Sequence, residues 1–159
     1  MSVSINGSGQ TVVQIITSTF TSTASTTSTT AVDSGIQATI TPTNSSNKIL
    51  IMATLNVSIV VVNRIHFKIY GGNATSYIGD TAQTGHRSAA SWVPRGGDSY
   101  IMNSVPLLYL DAPATTSPTT YKIQWWVEAN TGYINRPAST DGNGAGQASS
   151  IVLMELAYA

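Results

Sequence analysis

His66 and His86 are the side chains in this sequence best suited to hold a metal or move a proton near neutral pH. A metal site needs three or four N, S or O ligands at recognisable spacing. His66 instead stands between apolar neighbours in an alternating block, and His86 sits beside Arg87 in a loop-rich stretch. Both are expected to be surface imidazoles. Glu128 and Asp111 are the carboxylates next to strand-like segments, but glycoside hydrolysis needs two that face each other. Nothing in the sequence pairs them. The run Asp141-Gly-Asn143-Gly-Ala-Gly146 has the start of a calcium loop without its later acidic ligands. No Gly-Lys-Ser/Thr follows it to cradle a phosphate. There is no cysteine, so thiolate ligands and disulfides are excluded. No Ser-His-acid or nucleophile-elbow pattern is present. The expectation is a chain with no catalytic residue, no cofactor and no metal, and not an enzyme.

Aromatic and aliphatic side chains offer a different chemistry, that of contact. In YKIQWWVEA (121–129), Tyr121, Ile123, Trp125 and Val127 share one face, while Trp126 stands on the other among Lys122, Gln124 and Glu128. A Trp side chain buries on the order of 150–250 Å². Covering that area gains roughly 4–6 kcal/mol before opposing costs. Trp126 is therefore a candidate contact residue, together with Val3, Ile5, Val12 and Val13 near the N-terminus. Tyr77, Trp92 and Tyr133 fall in or beside predicted loops and are candidates for stacking on a ligand such as a sugar.

The elements that position these residues follow from period-two alternation, the mark of a strand with one buried face. Strands are expected at 10–20, 32–42, 48–62, 64–70, 99–111, 121–129, 132–136 and 149–158, and the Ser/Thr-rich run 17–30 is expected to form strand, turn and strand. Pro106 suits an edge strand or a bulge. Residues 74–98 are loop-rich, with short extended pieces at 77–78 and 89–93. No segment carries a capped 3.6-residue period, so helix should be nearly absent. The expected fold is all-β: a single antiparallel β-sandwich over 11–159, in jelly-roll form, preceded by a short arm at 1–10.

Composition bounds the partners. Charged residues make up 9% of the 159, against about 25% in ordinary soluble domains. Seven basic and seven acidic residues cancel, which leaves no electrostatic footprint for nucleic acid or an anionic membrane. The N-terminal ten residues lack the basic start and apolar stretch of a signal peptide. The longest apolar run, 49–62, is broken by Thr54, Asn56 and Ser58 and is shorter than the roughly 20 residues of a membrane helix. A soluble protein made without export is expected. So little charge favours association, so the apolar edges should be covered in a specific oligomer.

One ordered series is more specific. TITPTNSSNKILIMATL (39–55), SYIGD (76–80), HRSAASW (86–92), YLDAPATTSPTTYKIQ (109–124), GYINR (132–136) and SSIVLMEL (149–156) follow one another along nearly the whole chain. Together they resemble a β-sandwich domain of tailed-phage virion proteins, of the tail-fibre and virion structural kind. The resemblance implies a homotrimeric part of a virus particle. Because Met1 precedes the domain by about ten residues, with no shaft or adaptor, the resemblance favours a capsid decoration (cement) protein bound to the major capsid protein. Its place would be the capsid surface of the virion, after synthesis in the host cytoplasm. The alternative is the receptor-binding head of a tail or capsid fibre, whose loops 71–98 and 137–147 would meet a cell-surface glycan.

Overall fold

Alternation decides the architecture. In the block 65–71, Ile65, Phe67 and Ile69 are almost wholly buried, and in 119–127 so are Tyr121, Ile123, Trp125 and Val127. The structure, a computed structural model, describes residues 9–59, 63–71, 77–78, 100–139 and 146–158. Among these there is no helix. The strands are β1 (Gln10–Phe20), β2 (Ala24–Thr26), β3 (Val32–Ile40), β4 (Lys48–Ile59), β5 (Ile65–Gly71), β6 (Tyr77–Ile78), β7 (Asn103–Asp111), β8 (Thr119–Val127), β9 (Gly132–Ile134) and β10 (Ser149–Tyr158).

Every pairing is antiparallel, and the strands form two sheets. The second sheet runs β3-β8-β5-β6. The first holds six strands in four columns. β7 lines one edge of β4 from Ile49 to Val57. Along the opposite edge, β10 pairs with Lys48 to Thr54 and β9 with Val57 to Ile59. Outside these lie β1 on β10 and β2 on β9. The long β4 therefore has no free edge. Among the described residues β7, which carries Pro106, pairs on one side only, the edge position that suits a residue without an N–H.

Between the sheets lies one continuous core, a β-sandwich. Ile49, Ile51, Leu55 and Val57 of β4, with Ile151 and Leu153 of β10, meet Ile36 and Ile40 of β3 and the inward side chains of β5 and β8. Phe67 and Trp125 are direct cross-strand partners whose rings lie 6.5 Å apart and nearly parallel. At about 25 cal/mol per Å², each such aromatic contributes several kcal/mol before entropy opposes it.

β3 contains the one break in register on the second sheet. Between Asp33 and Gln37 the pairing with β8 slips, and Gly35 takes φ +85°. Ser34 stabilises the slip: its hydroxyl donates to the Ile123 carbonyl at 2.8 Å and accepts the Ile36 N–H at 3.2 Å. A Cβ on Gly35 would come within 3.1 Å of the Phe20 ring.

The predicted strands are present wherever the chain is described, including the strand-turn-strand in the Ser/Thr run and the short piece at 77–78. β1 begins at Gln10, one residue before the expected arm boundary, since Gln10 pairs with Tyr158. Val3, Ile5, residues 60–62 and the expected piece at 89–93 lie outside the described residues.

Replacing Gly35 with Ala imposes a left-handed backbone conformation on a residue with a Cβ, and also crowds Phe20. The expected loss of stability is about 1–2 kcal/mol. Urea denaturation of Gly35→Ala against the parent measures it.

Candidate interaction surface

Inward alternation accounts for only half of β4, β7 and β10. Several of their outward positions are apolar too, and register lines these up in rows across the first sheet. Ile15, Met154, Leu50 and Leu110 form one row across β1, β10, β4 and β7. Thr17, Val152, Met52 and Leu108 form the next. Val12 stands opposite Leu156, and a shift in register leaves Val13 between them and Gln14 without a partner. Leu108 is 70% exposed and Ile15 52%, with Val12, Val13 and Leu110 also exposed. The inner members of the rows are half-buried. Among the described residues the rows themselves carry no charge: Lys48 stands at one end of β4 beside them, and Arg136 lies beyond the other end, over Tyr133. Single exposed apolar residues are ordinary, but a contiguous patch on a sheet marks a contact surface.

Two buried polar arrangements hold this sheet in shape. Glu155 faces inward from β10 and is fully buried. Its carboxylate accepts Asn47 Nδ2 at 2.6 Å, Gln14 Nε2 at 2.6 Å, and the Thr43 N–H and hydroxyl at 2.7 and 2.8 Å. Burial alone would raise the carboxyl, but these donors outweigh it and hold Glu155 at about 2. One side chain thus ties β1, β10 and the turn after β3 together.

The second arrangement sits where β10 gives way to β9 along β4. The Asn56 N–H donates to Ser149 Oγ at 3.0 Å, and its carbonyl accepts the Asn135 N–H at 2.8 Å. Asn56 Nδ2 donates to the Ala148 carbonyl and Oδ1 accepts from Ser104, while Ser149 Oγ donates to Asn135 Oδ1. Buried polar groups are satisfied throughout this node, as they must be to avoid a desolvation penalty.

On the outer face of the second sheet, His66 and Trp126 are direct cross-strand partners with ring centroids 4.9 Å apart and planes 9° from parallel. His66 is only 3% exposed, so the expectation of a surface imidazole is overturned. Period two places it on the outward side, but the half-buried Trp126 beside it helps to shut out water. Its Nε2 lies 3.5 Å from Glu128, which also pairs with Arg64 at 2.9 Å, and its Nδ1 has no partner. Burial pushes the imidazole below its ordinary value, with Glu128 opposing. Lys68 lies over Trp126 at 5.6 Å.

The contact candidates do not converge on one surface. Val12 and Val13 belong to the apolar face of the first sheet, while Trp126 is on the outer face of the second, packed on His66. Tyr133 is half-buried between Ser25 and Ser58, with Arg136 over its ring at 4.5 Å. The backbone of Tyr77 pairs with Tyr70; its side chain, Trp92 and His86 lie outside the described residues. Glu128 and Asp111 are engaged separately, Asp111 accepting the Tyr121 hydroxyl at 2.6 Å. The largest feature, the apolar rows, was missed in that candidate set. Its signal was present: ILIM, PLLYL and SIVLMEL are apolar at both parities, as strands covered on both faces are. No protein-family model matches this chain, and no curated protein does.

Glu155 and His66, both buried, make stability fall in acid. The unfolded chain protonates Glu155 at its ordinary 4.5, whereas the folded protein does so at about 2. The carboxylate's contribution is full above 4.5 and is lost as pH falls towards 2, a change of about 3 kcal/mol. Urea denaturation of Glu155→Gln between pH 7 and pH 2 should show lower stability at neutral pH and a flattened acid limb.

For His66 the folded value is lowered from 6.5, so the unfolded chain takes up the proton first. Stability is full above 6.5 and declines as pH falls below it, until the folded protein protonates too. His66→Phe keeps a ring against Trp126 and should remove that decline, measured by the same titration.

Proposed function

We propose that this chain is a virion structural protein, a homotrimeric capsid decoration (cement) protein that stabilises a bacteriophage head. The observation that carries this reading is the apolar outer face of the first sheet in a chain with net charge zero. Such a face disfavours a dispersed monomer, and a near-uncharged exterior lets copies meet without repulsion. The ordered residue series that resembles tailed-phage structural proteins supports the same reading. The order β1-β10-β4-β7 facing β3-β8-β5-β6 is read here as a jelly roll.

In this reading the partners are further copies of the chain and the major capsid protein, with no role for nucleic acid, membrane, cofactor or catalysis. Apolar area is buried between copies. The N-terminal segment, with Val3 and Ile5, adds along an exposed strand edge of the shell. Many identical weak contacts then sum over the particle surface.

Light scattering on the purified protein tests the oligomer: three times 16.7 kDa, about 50 kDa, is expected, and a monomer persisting at high concentration would overturn it. Deleting residues 1–9 leaves β1 whole and should preserve the trimer while lowering occupancy on empty shells. Unchanged occupancy would exclude the arm. Quantifying the protein per virion separates decoration, at hundreds of copies, from a fibre head, at a handful.

A further inference from the structure

The outer face of the first sheet has two flanks of greatest exposure, at opposite edges. One is the β7 flank, with Leu108 70% and Leu110 40% exposed; the other is the β1 flank, with Val12, Val13 and Ile15 at 41–52%. We propose that these flanks are the two halves of one contact between copies of this chain: the β7 flank of one subunit packs on the β1 flank of the next, and the ring closes at three. This deepens the trimeric reading and rests on it.

Size supports a second copy as the occupant. Four columns at about 4.8 Å spacing, over rows spanning about 20 Å, give a footprint on the order of 400 Å². That lies within the range of the largest apolar patch a monomer usually exposes. Divided between the two contacts each subunit makes in the ring, it gives about 200 Å² per partner in each, roughly a quarter of a standard interface. Each contact is therefore an apolar core that needs a polar rim. Thr19 and Thr54, both exposed, border the rows and contribute to such a rim. Charge allows it, because among the described residues the rows carry no charged side chain, Lys48 and Arg136 lying beyond their two ends.

A ring of three requires a head-to-tail contact between two different patches, and the two flanks are such a pair. A two-fold pair stacked face to face would also lay β7 on β1, and is the arrangement that crosslinking must exclude. A head-to-tail contact uses each flank once on every subunit and leaves none uncovered when the ring closes.

The absence of cysteine from the native chain makes the test clean. In the full-length protein, Leu108→Cys combined with Ile15→Cys should yield covalent trimers on oxidation, while either substitution alone should not crosslink. Leu108→Asp, at an exposed position, should keep the β-sheet circular dichroism spectrum and shift the mass from about 50 to 16.7 kDa. Gln37→Asp on the second sheet should leave the trimer intact. Covalent dimers as the end product, or crosslinking by Leu108→Cys alone, would overturn the head-to-tail ring. A parent trimer that survives Leu108→Asp unchanged would overturn this interface and leave the trimeric reading standing. A monomeric parent would overturn the trimeric reading itself.

Discussion

β4 has no free edge and carries apolar side chains on both faces, and the rest of the molecule is arranged around that constraint. Its backbone is paired on one side by β7 and on the other by β10 and then β9. Its inward residues Ile49, Ile51, Leu55 and Val57 are fully buried in the core, and its outward Leu50 and Met52 lie in the middle of the apolar rows. A strand in this position reads as nearly continuous apolar sequence, the pattern usual for strands covered on both sides. Here the fold itself covers one side and two edges. The remaining side is where the chemistry of contact is concentrated.

The polar residues inside the sandwich serve that geometry. Glu155 is surrounded by donors from β1 and from the turn after β3, so its charge is stabilised without a cation. A carboxylate held by several hydrogen bonds can remain ionised when buried, and losing one partner would leave an uncompensated group. The Asn56 node acts similarly on neutral groups. Both fix the positions of β1 and β10, whose outward residues make half of the apolar face.

Much of the fold was legible in the sequence because it rests on local signals. Ile65, Phe67 and Ile69 alternate with polar neighbours, and burial follows that parity. Pairing was not legible, because β10 reaches β4 from about a hundred residues away and no local pattern records which edge it takes. His66 shows the same gap at one residue. Period two gives its face, but its burial depends on Trp126, a partner some sixty residues on that only the β5–β8 register supplies. The apolar face was legible in principle. The outward leucines and methionines of 48–57, 103–111 and 149–158 are visible in sequence, but their alignment into rows is a property of the sheet.

The junction at Asn56 also separates chain length from architecture. Ser149 and Gln147 both bond to Asn135, which closes a neck between the end of β9 and the start of β10. Both strands are anchored to β4 on their own side of that neck. Extra sequence placed between 139 and 146 would therefore hang from a closed stem without prying the columns apart. This makes the segment a natural site for grafting a foreign peptide onto the scaffold.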